Sequence, residues 1–331
     1  CSQSRGLGDV YKRQHYPYTR FISQLCDELG ILLWEEIPVY WNINWSNAET
    51  KTSAKTILTQ MIHRDWNRAS VIIWSIGNET PFSDARMEFM IDLKETAEGL
   101  DSSRLISAAL LSGSVEQFRS LTYFLAKEGL KHSFVSDYEK AIFEQIVSQL
   151  QPLYSSMGTF RINIKDPLAE HLDIIAYNEY FGWYYTSFIV DQLGVEESTL
   201  RKLMFKLMPS IKIESQYKKP IHLSEFGAGA KRNFKADGGI WSEEYQEDVY
   251  RHQLEMIRNN DQIQGSSPWI LKDFRSMMRP LAGVQDFYNR KGLVDEDGKK
   301  KKAFKVLQQF YQDEWESVSY THLRAHETGY N

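Results

Sequence analysis

The chain repeats one device along its length: an uninterrupted apolar run that stops at a polar residue, followed by a segment with helical spacing. "ILLWEEIP" (31–38), "SVIIWSIGNETP" (70–81), "RLISAALL" (104–111), "LDIIAYNEYFGWY" (172–184), "KPIHLSEFGAGA" (219–230) and "SSPWILKDF" (266–274) are the runs. Continuous rather than alternating apolar character predicts strands covered on both faces, as in a parallel sheet. Between them, "YTRFISQLCDELG" stops at Gly30, 48–67 carries Ile57, Met61 and Ile62 on one side, and 84–100 follows Ser83 as a candidate N-cap. Further helices are expected near 196–209, at 242–260 and from Lys302 to Trp315. Residues 114–170, around "DYEKAIFEQIVSQLQPLY", break the rhythm and are expected to be a helical insertion.

Strands alternating with helices fit either a doubly wound sheet or a closed (β/α)8 barrel. The polar groups decide between them. They collect at the C-terminal ends of the runs: Glu35 and Glu36, Asn78 and Glu79, Asn178 and Tyr180, Glu225, Lys272 and Asp273. A barrel gathers those ends at one mouth, where its chemistry sits. An open sheet usually carries a glycine-rich phosphate turn after its first strand, and none is present. The fold class expected is α/β, a TIM (β/α)8 barrel.

Two ends are set apart from this pattern. "CSQSRGLGDVYKRQ" (1–14) and "VSYTHLRAHETGYN" (318–331) lack an apolar period and resemble read-through of sequencing adapter. The native segment is then expected at 15–317, cut at its left end. A leader would be lost with that cut, so the compartment stays open.

Composition excludes several classes. A net charge of −5 over 331 residues argues against a nucleic-acid surface. No apolar run approaches the ~20 residues needed to span a bilayer. Cys1 and Cys26 make neither a disulfide framework nor a metal cluster, and the eight histidines are scattered. No cofactor or metal is called for. Lys299 to Lys302, after Asp295-Glu296-Asp297-Gly298, reads as a turn and a solvated helix start. The 9 Trp and 18 Tyr, many beside Gly, Pro or Asn, suit loops that line a sugar site.

Glu79 and Glu225 each end a buried run, on units about half a barrel apart. Two carboxylates facing across a barrel mouth are what glycoside hydrolysis needs, one as acid and one as nucleophile, about 5–5.5 Å apart when configuration is retained. Either alone could be a strand-end carboxylate paired to a structural Arg or Lys. Together, and with Asn78 preceding one of them, they point to catalysis.

"VIIWSIGNE", "IHLSEFGA", "PWILKDFRS" and "NRKGLVDEDGKKKKAF" resemble the catalytic barrel of glycoside hydrolase family 2, the β-glucuronidase and β-galactosidase family. The likeness runs from "HYPYTRFISQLCDELGILLWEEIP" to "FKVLQQFY", apart from 114–165. It implies Glu79 as acid/base, Glu225 as nucleophile and Asn78 on the sugar 2-hydroxyl. "NEYFGWY" implies Asn178, Tyr180 and Tyr184 as lining groups, while Glu179 points to the other face of the strand. Trp269 matches a tryptophan under the sugar ring. Asn289 and Lys291 look like the Asn-x-Lys pair that holds a uronate carboxylate, a charge that a neutral hexose lacks. The family's two N-terminal β-domains and the barrel's first strand are missing, and the second strand survives only as His15-Tyr16-Pro17.

The resemblance implies a retaining exo-acting β-glycosidase with a β-glucuronide substrate. β-Galactosidase or β-galacturonidase is the alternative within the family, and a non-catalytic sugar-binding barrel the alternative outside it. The partner expected is carbohydrate, with neither nucleic acid nor membrane, and the full-length protein could form a homo-oligomer.

Overall fold

The structure, a computed structural model, describes residues 10–13, 15–111 and 113–313. Its strands in chain order are β1 (Val10–Arg13), β2 (Leu32–Glu36), β3 (Val71–Asn78), β4 (Leu105–Leu110), β5 (Arg161–Ile164), β6 (Ile174–Asn178), β7 (Lys212–Ser215), β8 (Ile221–Glu225), β9 (Ile263–Ser266), β10 (Phe274–Arg275) and β11 (Tyr288–Asn289). Seven of them form one sheet in the order β1-β2-β3-β4-β6-β8-β9, and every neighbouring pair is parallel. This is the curled parallel sheet of a TIM barrel, with β1 and β9 as its edges among the described residues. No described helix is long and apolar enough to cross a membrane.

Why the runs are apolar without a break is visible in how their faces divide. Trp34, Ile73, Ala109, Ile174 and Ala176 form one buried cluster inside the curl. Their strand neighbours Leu33, Trp74, Leu110 and Ile175 belong instead to the larger core under the helices. Period-two geometry sends successive side chains to opposite faces, and both faces here are dry.

Among the described residues, eight helices cover the outer face: α1 (Arg20–Leu29), α2 (Ala48–Asp65), α3 (Asp84–Leu100), α4 (Val115–Gly129), α5 (Asp137–Tyr154), α6 (Tyr185–Leu193), α7 (Glu197–Leu207) and α8 (Glu243–Arg258). Residues 302–313 are helical as well. The sequence signals act as expected at two ends. Gly30 takes the left-handed φ of 69° that closes α1, and the Ser83 side chain accepts the Arg86 N–H at 3.1 Å to open α3. Phe89, Met90, Leu93 and Ala97 then put one side of α3 into the core. Replacing Phe89 by Ala would remove about 3–5 kcal/mol.

Three expectations change. The 114–170 segment is helical, as α4 and α5, but it also holds β5, which pairs parallel with β7 in a small separate sheet. Leu121, Phe124, Phe143 and Phe160 join the main core, so the segment is a wall of the barrel. Capping boxes at Ser114/Gln117 and Ser136/Glu139 start its helices cleanly.

The second change concerns residues 10–13, set aside with the opening fourteen. They form β1 and pair with Leu32 to Glu35, because parallel pairing needs only backbone groups and the β2 edge offers them. The origin of the two ends as adapter read-through is a proposal, which sequencing the flanks of the gene tests; residues 318–331 lie outside the described residues. Third, the last strand of the sheet is Ile263–Ser266, so "PWILKD" (268–273) follows it as an irregular segment ahead of β10.

Candidate active site

The site begins where β3 ends. The Asn78 N–H donates to the Val39 carbonyl at 2.9 Å and the Glu79 N–H to the Ala109 carbonyl at 2.8 Å, tying the strand end to both sides. Gly77 permits this approach, since a Cβ there would lie 3.0 Å from the Val39 carbonyl and 2.8 Å from the end of Met90. Glu79 then takes a φ of +50°, a left-handed conformation that a non-glycine residue rarely adopts. Pro81 follows, and the chain turns out of the mouth.

Each Glu79 oxygen is held by a nitrogen donor. Asn178 Nδ2 donates to Oε1 at 3.0 Å and the Trp41 indole to Oε2 at 3.1 Å. Asn178 is fixed in turn by Ser224, whose hydroxyl donates to Oδ1 at 2.6 Å, and its Nδ2 also reaches Asn78 Oδ1 at 3.2 Å. Asn78 is buried, and its Nδ2 has no hydrogen-bond partner among the described residues. A buried amide donor left unmade is costly.

Glu225, at the end of β8, faces the same network. Its Oε2 accepts the Tyr180 hydroxyl at 2.6 Å, and Lys12 Nζ stands 3.4 Å from its Oε1 and 3.2 Å from Asn78 Oδ1. Burial, with the Glu225 charge beside it, pushes the Tyr180 hydroxyl well above the ordinary phenol range. Tyr180 therefore stays a donor to Glu225.

A second group of residues adjoins Tyr180. Lys291, 4% exposed, places its ammonium 5.2 Å from the Tyr180 ring centre, 4.5 Å from that of Tyr184 and 5.1 Å from that of Trp269. It donates to the Tyr184 hydroxyl and makes no ion pair among the described residues. Burial holds its pKa below the usual lysine value. Asn289 Oδ1 accepts the Lys291 N–H at 3.2 Å, so that side chain shapes the turn that presents the lysine. The next residue, Gly292, donates its N–H to Asp273 Oδ1 at 2.8 Å, and a Cβ there would run into the backbone of Asp273 and Val294.

Of the expected residues, Asn78, Glu79, Asn178, Tyr180 and Glu225 form one hydrogen-bonded network, with Tyr184, Trp269 and Lys291 beside it and Asn289 bracing the Lys291 turn. The other strand-end carboxylates stand apart. Glu35 pairs with Arg64, and Glu36 accepts from Ser75 and Trp34 and meets His15. Asp273 binds Lys301 at 2.8 Å, and Lys301 is buried, contrary to the solvated helix start expected at 299–302. A countercharge and two carbonyls make that burial tolerable. Glu179 faces away and is buried with no cation paired to it among the described residues; burial pushes its carboxyl up to about 8. Sequence reasoning missed Trp41 and Ser224. Trp41 lies on an aromatic loop, "YWNINW", just past a strand end, and that position was the available signal.

Comparison with known proteins accords with this geometry. Residues 9–314 match the family model described as glycosyl hydrolases family 2, TIM barrel domain. The β-glucuronidase of Canis lupus familiaris is 24% identical over 315 residues, 93% of this chain and 39% of that protein. A β-galactosidase of Thermoanaerobacterium thermosulfurigenes is 37% identical over 97 residues, 29% of this chain and 13% of that protein. Among solved structures, a family 2 β-galacturonidase from Eisenbergiella tayi bound to galacturonate superposes with a TM-score of 0.64 at 23% identity. It covers 94% of this chain and 46% of that one, a likeness of fold. The chain spans between a third and a half of the length of its first relatives, 33% in one case and 46% in another.

Proposed function

The chain belongs to glycosyl hydrolase family 2, and from that premise we propose that it carries the catalytic barrel of a retaining, exo-acting β-glycosidase whose substrates are β-glucuronides. Glu225 attacks the anomeric carbon as a carboxylate. The bond to the leaving oxygen breaks, and Glu79 gives that oxygen its proton. A water then attacks the glycosyl–enzyme ester; Glu79, now a carboxylate, takes the water's proton and Glu225 leaves as a carboxylate again. In this reading Asn78 binds the 2-hydroxyl, a contact that tightens as the sugar gains oxocarbenium character. Trp269 serves as the platform under the ring.

The observation that carries the substrate reading is Lys291. It is an ammonium buried among three aromatic rings with no carboxylate at ion-pair distance among the described residues, Glu225 acting on it only from farther away. A uronate carboxylate supplies the missing countercharge, and a charge-assisted contact of that kind contributes about 1.5–3 kcal/mol. β-Galacturonides are the second reading. The same carboxylate would meet Lys291, and only the configuration at C4 differs.

Trapping with a 2-deoxy-2-fluoro β-glucuronide tests the mechanism. The label is expected on the peptide that holds Glu225, and a label elsewhere refutes the assignment. Glu79→Gln should abolish turnover of glycosides with poor leaving groups while sparing part of the glycosylation step with activated phenols. Equal loss on both would remove Glu79 as the acid.

A further inference from the structure

Behind the acid runs a chain of contacts that the reaction derived above does not use. Thr80, the residue after Glu79, is 2% exposed, and its Oγ1 accepts from Arg86 Nε at 2.9 Å. Arg86 stands in the first turn of α3 and is fully buried. Its two Nη groups grip both oxygens of Asp166 at 2.8 and 2.9 Å. Asp166 belongs to the 114–170 segment, two residues past the end of β5. We propose that Thr80, Arg86 and Asp166 are positioning residues for the acid, so that the inserted wall takes part in the chemistry. The proposal rests on the reading of Glu79 as the acid and names what holds it in place.

Glu79 needs such support. Its φ of +50° is strained for a residue with a Cβ, and conformations of that kind persist only where the surroundings over-determine them. On one side the Glu79 N–H is held by the Ala109 carbonyl at 2.8 Å. On the other side come Thr80 and then Pro81. A residue before proline is confined to extended backbone, and a β-branched side chain has few χ1 states. Fixing the Thr80 hydroxyl therefore fixes its Cα, and with it the peptide that leaves Glu79. Asn178 and Trp41 hold the far end of the glutamate side chain; Thr80 holds its root.

A brace between α3 and the wall would need the ion pair alone. The fork between guanidinium and carboxylate is complete with the two Nη groups. Asp166 Oδ1 also accepts the Leu168 N–H at 2.9 Å, which fixes the carboxylate from its own loop. The Arg86 backbone is set by the Ser83 cap at 3.1 Å. Both ends of the arginine are thus anchored before Nε is counted, and Nε goes to the neighbour of the acid. Placement at this level matters, since moving a catalytic group by about 1 Å can cost about a hundredfold in rate.

Thr80→Val keeps the shape and removes the acceptor, while Thr80→Ser keeps the acceptor. Each is compared with the parent protein on two substrates. The phenol of 4-nitrophenyl β-glucuronide leaves with little protonation, whereas the alcohol of methyl β-glucuronide needs the acid. Thr80→Val is expected to lower kcat/KM about ten- to a hundredfold on the methyl glycoside and about twofold on the nitrophenyl glycoside. Thr80→Ser should restore the methyl glycoside, and Asp166→Asn should show the same selective loss in smaller measure. A brace alone would lower both substrates together, so equal losses, or none, overturn the proposal. An Asp166→Asn protein that matches the parent removes Asp166 from it. The Glu79→Gln protein separates the two readings. If it loses both substrates equally, or if the parent cleaves neither, the mechanistic reading fails, and a crystal structure of Thr80→Val decides the positioning by itself. A Glu79 backbone that leaves the left-handed region then supports the proposal, and an unmoved one overturns it.

Discussion

Two buried lysines ten residues apart receive opposite treatment. Lys301 Nζ has an acceptor for each of its three protons: Ala230 O at 2.6 Å, Asp273 Oδ1 at 2.8 Å and Arg290 O at 3.0 Å. Lys291, only 4% exposed, has one hydroxyl and three ring faces. The first is a finished ion pair that braces the segment after β9 against the turn at 289–292. The second is an ammonium whose desolvation the protein leaves half compensated. Ring faces attract a cation but carry no net charge. The contrast teaches that burial of a charge says little by itself; what the charge is surrounded by separates a brace from a binding group.

The comparison can be broken most sharply by stability. Lys301→Met takes from Asp273 one of its two countercharges, leaving Arg290 at 3.3 Å, and should remove about 1.5–3 kcal/mol, read by denaturant unfolding. Lys291→Met strands nothing and should leave stability unchanged or slightly raised. Equal losses would mean that Lys291 is a brace too. Activity is expected to reverse the order. Lys291→Ala should lower kcat/KM about ten- to a hundredfold on glucuronides, as the loss of about 1.5–3 kcal/mol requires. A neutral β-galactoside, with a hydroxymethyl in place of the carboxylate, should lose little. The two substrates meet the same mutant, so general damage cancels in the ratio.

The pH dependence sharpens the same point with a smaller effect. Burial depresses the Lys291 pKa below 10.5, so its charge is present below the depressed value and lost as pH rises through it. The ratio of uronide to galactoside kcat/KM should therefore fall on the alkaline side, earlier than an ordinary lysine would allow. A flat ratio would count against the clamp. Glu179 provides the last comparison, because it is a buried acid with no countercharge among the described residues, on the face away from the mouth. Its carboxyl is pushed up to about 8 by burial, so the folded state keeps a proton that the unfolded chain releases near 4.5. Stability should fall as pH rises from about 4.5 to 8, and Glu179→Gln should flatten that slope. An unchanged slope would show that Glu179 finds compensation elsewhere.

Much of this was legible in the chain itself. Apolar runs buried on both faces need no tertiary information to be read, and the carboxylates at 79 and 225 announce themselves by ending such runs. Asn178 and Tyr180 follow from the two-residue period of β6. What lay hidden depended on contacts across long separations. The pairing of β5 with β7 joins residues about fifty apart through backbone groups, which leave no mark in composition. Lys301 sits in a lysine run that looks solvated, and only the distant Asp273 makes it a core residue. The role of Asn289 was half visible: the motif gave its neighbourhood, but its carbonyl oxygen turns back to hold the Lys291 backbone. Residues 10–13 have no apolar signature, and a parallel edge accepts them all the same.

The left-handed backbone of Glu79 has a consequence for any library drawn from this gene. Glycine or asparagine would sit there with less conformational strain, since a non-glycine residue held at such an angle gives up about 1 kcal/mol or more. Variants screened for heat tolerance alone should therefore drift toward glycine at position 79, gaining a few degrees while losing the carboxylate proposed as the acid. The position would be kept as glutamate only under selection for turnover. Passaging two parallel libraries, one chosen by melting temperature and one by hydrolysis, should split them at this codon early.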